Sequence, residues 1–142
     1  MEAAFWDSSS LVPLCIQQRS TAIVQRQIEK YSLVVWWSTP VELKSAFARL
    51  LRMGHMTSTE FASAQVDLDQ LRHAWQEINP SQPLRDQAES FVDRFQLKAA
   101  DAQQLAAAFI WALGRPTGRV FLSGDVQLLA AARQLGFQAV ET

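Results

Sequence analysis

The sequence predicts an α/β domain on a mainly parallel sheet, and three observations carry that expectation. Short apolar runs alternate with longer amphipathic stretches along all 142 residues. The run Leu33-Val34-Val35-Trp36-Trp37 is apolar at every position, as in a strand covered on both faces. Acidic residues stand where strands hand over to helices: Asp7, Glu42, Asp101 and Asp125. In an open parallel sheet, ligands bind beyond the carboxyl ends of the strands, so acids from several junctions can meet in one crevice.

The first strand is expected over Ala3 to Trp6, ending in Asp7. A helical segment follows from Leu11, a break falls at Arg19-Ser20-Thr21, and another helix runs to about Lys30. The second strand is Leu33 to Trp37, with both tryptophans read as core. Thr39 then suits a helix cap and Pro40 the first helical position. Leu43, Ala46, Phe47, Leu50 and Leu51 form that helix's core-facing stripe, and Gly54 ends it. Thr57-Ser58-Thr59-Glu60 has the pattern of a capping box. The seam Phe61, Ala64, Leu68, Leu71 and Trp75 that follows suits an antiparallel helical hairpin.

Trp75 to Ile78 allows a short third strand, stopped by Asn79-Pro80. Helices are expected over Leu84 to Phe95 and Ala99 to Leu113. The second of these is apolar almost all round, which buries it in the domain or against a partner. A strand over Arg119 to Leu122, a helix from Asp125 to Leu135 and a strand over Phe137 to Val140 complete one domain, 1–142.

Composition narrows the classes. The net charge of −1 gives no overall pull toward nucleic acid or membrane. Locally, residues 16–54 carry Arg19, Arg26, Lys30, Lys44, Arg49 and Arg52 against Glu29 and Glu42, a net +4. Residues 60–101 net −4. The lone Cys15 excludes an internal disulfide and a cysteine-rich zinc site, and its apolar neighbours suit a buried, inert thiol. No basic residue precedes the first apolar run and Asp7 follows it, a poor secretion signal, so the cytoplasm is expected. Leu105 to Leu113, the longest apolar run, is too short to span a bilayer.

Each acid has an ordinary explanation as well. Glu42 suits the third position of a capping box opened by Thr39; Asp101 and Asp125 suit helix N-termini; Asp7 suits the cap of the helix after it. Capping does not require all of them to share one edge of one sheet. If they do, the charges need a counter-charge. At an effective dielectric of 20, two anions 5 Å apart repel by roughly 3 kcal/mol. A hard divalent cation with oxygen ligands resolves this. Arg49, seven residues after Glu42 and on nearly the same helical face, is placed to hold a phosphate nearby.

At these residues the chain resembles the PIN-domain family, and within it the VapC-like toxins of prokaryotic toxin–antitoxin pairs. Phe5-Trp6-Asp7-Ser8-Ser9-Ser10-Leu11-Val12 is similar to the family's opening motif, and Ser38 to Ala46, with Glu42, to its second. Leu97 to Ala106, with Asp101, is similar to the third, and Phe121 to Ala132, with Asp125, to the fourth. The resemblance covers essentially the whole chain. It implies a three-layer α/β/α sandwich and Mg²⁺- or Mn²⁺-dependent endoribonuclease activity, with Asp7, Glu42, Asp101 and Asp125 as the catalytic and metal-binding acids.

Under that resemblance Asp7 and Asp125 are direct ligands, Asp101 binds metal or positions water, and Glu42 acts through water. Ser9 and Ser123 match supporting hydroxyl positions. No further acid lies in the turn after Asp125, which leaves one or two ions open. A homodimer and an antitoxin partner are also implied. The apolar helix Ala102–Leu113 and the seam Phe61–Leu68–Leu71 point toward association as well. Two rival readings stand beside this one. One is a non-catalytic interaction module of the same fold. The other is a phosphoacceptor receiver or phosphatase, which the lack of any lysine after Lys98 disfavours.

Overall fold

A computed structural model describes residues 1–17 and 21–142. Its five strands are β1 (Glu2–Trp6), β2 (Tyr31–Trp36), β3 (Gln76–Ile78), β4 (Val120–Ser123) and β5 (Gln138–Glu141). They form one sheet in the order β3-β2-β1-β4-β5, and every neighbouring pair is parallel. Among the described residues seven helices connect and cover it: α1 (Ser8–Cys15), α2 (Thr21–Lys30), α3 (Thr39–Arg52), α4 (Ser58–Ala74), α5 (Gln82–Phe95), α6 (Ala99–Trp111) and α7 (Val126–Leu135). The expected α/β fold is therefore the observed one. The weakest expected strand, Trp75 to Ile78, exists as the edge strand β3.

Alternation along the strands divides the core into two layers. Phe5 pairs with Val34 on one side and Phe121 on the other, and this row faces α5, α6 and α7. Ala4, paired with Leu33 and Val120, lies in the opposite row, facing α1 to α4 with Trp6, Val35 and Leu122. The phenyl rings of Phe5 and Phe121 stack at 5.6 Å across the first of these rows. The result is a helix–sheet–helix sandwich. Strand order reverses at β1, whose neighbours β2 and β4 are reached in opposite directions. The crevice between the ends of β1 and β4 is thus a topological switch point.

Helix starts mostly follow their local chemistry. Thr57 and Glu60 make the expected capping box, and Ser81 caps α5 through the Leu84 N–H. The start of α3 differs by one residue: Ser38 is the cap position, and Thr39 and Pro40 lie inside the helix. Of the break expected at Arg19-Ser20-Thr21, Arg19 and Ser20 lie outside the described residues.

Two expectations need correcting. Trp36 is core, but Trp37 is 52% exposed, because the chain turns at Trp37 and Ser38 into α3 and the strand's alternation ends there. The seam on α4 is not spare surface: Ala64 and Leu68 are buried, and Phe61 and Leu71 pack on the same core as Phe47 of α3. It lends no support to a homodimer. Likewise α6 buries Ala102 and Leu105 through Ala108 inside the chain, and only Leu113, beyond the helix end, is fully turned out. Among the described residues no helix is long and apolar enough to cross a membrane.

Candidate active site

Asp7 is the first residue after β1, and its N–H donates to the Leu122 carbonyl at 3.0 Å, tying the end of β1 to β4. Its carboxylate is buried, only 3% exposed. Ser9 Oγ donates to Asp7 Oδ2 at 2.5 Å and Ser123 Oγ donates to the same oxygen at 2.9 Å. Each hydroxyl has one proton and gives it to Asp7. The two serine oxygens, 3.3 Å apart, are therefore close neighbours rather than a bonded pair. Both also accept: Ser9 Oγ from the Gly124 N–H and Ser123 Oγ from the Asp125 N–H, each at 2.9 Å. Two serines, one in the first turn of α1 and one at the end of β4, thus orient Asp7 and fix the loop that carries Asp125.

Asp125 is a true helix cap. Its Oδ1 accepts from the N–H groups of Gln127 at 2.9 Å and Leu128 at 3.1 Å, and Oδ2 has no recorded bond. The ordinary explanation holds for this acid without removing it from the crevice. For Asp101 it also holds, since that acid stands in the first turn of α6, but it fails for Asp7 and Glu42. Asp7 occupies a cap position but makes no side-chain cap bond, and Glu42 is not part of a capping box. Asp101, in the first turn of α6, makes no side-chain hydrogen bond among the described residues.

Glu42 is held by residues that periodicity did not single out. Ser8 Oγ and Gln104 Nε2 both donate to its Oε2, at 2.5 and 2.7 Å. Gln104 also donates to Thr39 Oγ1 at 3.3 Å and is itself buried, and its Oε1 has no partner. The available signal was one of two adjacent glutamines, Gln103 and Gln104, among the alanines of α6, one turn after Asp101.

The four carboxylates feel one another. Burial pushes Asp7 up to about 6, with the Glu42 charge adding and the two serine hydroxyls opposing. Burial also lifts Asp101 to about 6, helped by the charges of Asp7 and Asp125, with Lys98 opposing. Glu42 is raised by burial and by Asp101, against the bonds from Ser8 and Gln104. Among the described residues, none of the hydrogen bonds to these acids comes from an arginine or lysine.

The acids interact through their fields, not yet through a shared ligand. Among the described residues no three acidic, histidine or cysteine side chains are grouped closely enough to hold a metal as they stand. Field coupling extends further than ligand bonds of about 2.1 Å, so the two observations agree. Anionic oxygens with raised affinity for protons and no hydrogen bond from a cation among the described residues are the donor chemistry that fits Mg²⁺ or Mn²⁺.

Beside them lies a cleft of about 590 Å³, lined by Ser8, Ser9, Glu42, Ser45, Arg49 and Asp101 among others. The structure thus brings Arg49, Glu42 and Asp101 together. Asp7 and Asp125 do not line this cleft and reach it through the serine network. His55 and His73 take no part, and Cys15 lies elsewhere, with its thiol pushed up to about 12 by burial first and by the charge of Asp67.

No protein-family model and no curated protein matches this sequence. Solved structures do. PAE2754 from Pyrobaculum aerophilum superimposes with a TM-score of 0.66 at 20% identity, covering 98% of this chain and 90% of that one. A chain of a toxin–antitoxin complex from Klebsiella pneumoniae gives 0.66 at 17% identity, covering 90% and 91%. At such identities the likeness establishes a shared fold.

Proposed function

We propose that the chain is a PIN-type, VapC-like endoribonuclease that hydrolyses RNA phosphodiester bonds with Mg²⁺ or Mn²⁺. One observation carries the reading. Asp7 feels the charge of Glu42, Glu42 that of Asp101, and Asp101 those of Asp7 and Asp125, and among the described residues no arginine or lysine is hydrogen-bonded to any of the four. A structural role asks for no such arrangement, since burying like charges together costs stability.

Asp7, Asp101 and Asp125 would hold the cation, with Glu42 restrained behind them by Ser8 and Gln104. When bound, such an ion supplies charge neutralisation at the phosphoryl oxygens and acidifies water. The chain's own residues do the rest. The serine pair keeps the Asp7 carboxylate in one orientation, Arg49 at the cleft offers a guanidinium to a phosphate, and Asp101 stands between Arg49's cleft and the strand-end acids.

The biological role proposed is that of a toxin neutralised by an antitoxin. The fold shared with a chain of a toxin–antitoxin complex supports it. A basic antitoxin segment would find in the acid set the counter-charge that the chain itself withholds. The proposal includes a homodimer, which light scattering would test.

Incubation with single-stranded and structured RNAs, with Mg²⁺, with Mn²⁺ and with chelator, tests the activity. Cleavage dependent on metal and lost in Asp7→Asn is the expected result. RNA binding without cleavage under every condition would favour the non-catalytic interaction module instead.

A further inference from the structure

Thr142, the residue after β5, has no role so far, yet it touches the frame that holds Asp7. Its N–H donates to the Ser123 carbonyl at 3.0 Å, carrying the β4–β5 pairing one step past Glu141. Side chains alternate along a strand, so Thr142 shares a face with Val140, which packs on the α1–α4 side. Ser10 of α1 lies on that side, and its hydroxyl is hydrogen-bonded to that of Thr142 at 3.0 Å.

Ser10 is fully buried. A buried hydroxyl is costly without a partner, and an alanine would need none. A satisfied polar pair between a helix and a strand end requires no function, but this pair has Asp7 on both sides. The Ser10 N–H donates to the Asp7 carbonyl at 2.9 Å. Thr142 holds Ser123 through the main chain, and Ser123 Oγ donates to Asp7 Oδ2. The bonds close a ring that runs from Asp7 through Ser10, Thr142 and Ser123 back to Asp7. The loop leading to Asp125 is packed against the same ring. A methyl group at Gly124 would meet Ser9 Oγ at 3.5 Å and the Thr142 carbonyl oxygen at 3.6 Å.

We propose that Thr142 is a positioning residue for the metal site. Through Ser10 and Ser123 it fixes the start of α1 against the end of β4, and so sets the two hydroxyls, Ser9 and Ser123, that orient the Asp7 carboxylate. It touches neither metal nor RNA. Its effect on cleavage rests on the ribonuclease reading, whereas its effect on Asp7 as an ion-binding group does not. Groups that fix the orientation of a ligand typically contribute about ten- to a hundredfold to metal affinity.

Thr142→Val keeps the shape and the main-chain bond but strands the Ser10 hydroxyl, so the test pairs it with Ser10→Ala. Removing both hydroxyls leaves neither unpaired and should hold the melting temperature in chelator close to that of wild type. Mn²⁺ affinity, read by isothermal titration calorimetry, should fall about tenfold, the low end of that range. The kcat for RNA cleavage should fall with KM unchanged. Thr142→Ser, which keeps the hydroxyl, should bind Mn²⁺ as wild type does. In a Ser123→Ala background the paired substitution should cost less than it does in wild type, because part of its effect runs through that serine.

Wild-type Mn²⁺ affinity in the paired variant overturns the proposal, whatever its melting temperature. So does an equal loss in the Ser123→Ala background, or a paired variant that is unfolded by circular dichroism, which would make the hydroxyls a requirement of folding. Weakened Mn²⁺ binding in a protein that never cuts RNA keeps this role and loses the ribonuclease reading. Metal-dependent cleavage with Mn²⁺ affinity and kcat unchanged in the paired variant does the reverse. No Mn²⁺ binding by wild type overturns both.

Discussion

Gln104 Nε2 donates to Glu42 Oε2 at 2.7 Å, joining α6 to α3 across the acidic crevice over 62 positions of sequence. The bond stabilises the charged form of Glu42, and it is made by an amide whose own oxygen is unsatisfied. A buried acceptor left without a donor costs about 1–3 kcal/mol. The fold tolerates this to hold one carboxylate in place.

Gln104→Leu should therefore separate stability from activity. Leucine is close in volume and removes the orphan oxygen, so the melting temperature in chelator should change little or rise. Glu42 loses its donor, becomes harder to ionise, and turns freely about its side-chain bonds. RNA cleavage should fall about tenfold, equivalent to ~1.4 kcal/mol. In a Glu42→Gln background the same substitution should cost nothing further in cleavage, because coupled residues are not additive. Equal losses in both backgrounds would make Gln104 a packing residue only.

Asp7→Asn and Asp125→Asn should each abolish most cleavage with the fold intact by circular dichroism. A catalytic metal ion contributes several kcal/mol in general, so under the proposed activity a loss of at least about a hundredfold is expected. Asparagine caps helices as well as aspartate does, so Asp125→Asn keeps the bonds to Gln127 and Leu128 and isolates the charge. Asp125→Ala should in addition cost about 1 kcal/mol of stability in urea unfolding. Full cleavage in both asparagine variants would remove these two acids from the chemistry.

The elements were legible because their signals are local. Leu33 to Val35 read as a buried strand from composition alone, Asp7 directly follows β1, and Asp125 stands two residues past β4 at the start of α7. Trp37 was misplaced for the same reason: an apolar residue one step past the strand end looks like its continuation, and only the turn into α3 shows that it leaves the sheet. Gln104 was invisible because its partners, Thr39 and Glu42, lie on another helix, and periodicity reports which face a residue occupies but not what it meets there. Which acids couple to which is likewise a property of the sheet order, since strand order is not written in any one segment.

Cys15 should be inert in the native protein. With its thiol pushed up to about 12, almost no thiolate exists near neutrality. Iodoacetamide at pH 8 should leave it unmodified by intact-mass measurement, and labelling should appear only in denaturant. Rapid native labelling would show that the Cys15 thiolate is reached in the folded protein and overturn this prediction.

Protons and metal should compete for the acids, and the two conditions should give opposite trends. Asp7 and Asp101 rise from an ordinary 3.8 to about 6 in the folded chain. The folded state then holds protons that the unfolded state releases, so this contribution stabilises the fold below about pH 4 and is lost as pH rises through 6. In chelator, wild type should lose stability relative to Asp7→Asn across that window. Added Mn²⁺ needs the deprotonated carboxylates, so its stabilising shift should grow over the same rise in pH. At a free concentration of 100 times its dissociation constant the ion adds about 2.7 kcal/mol, on the order of 5 °C in melting temperature. Asp125→Asn should melt higher than wild type in chelator, having lost a repelling charge, and gain less from Mn²⁺, having lost a ligand. Thermal melts of wild type, Asp7→Asn and Asp125→Asn from pH 4.5 to 7.5, in chelator and in Mn²⁺, read all of this. A Mn²⁺ shift that is the same at every pH and in all three proteins would show that the metal binds elsewhere and that the acidic crevice is not its site.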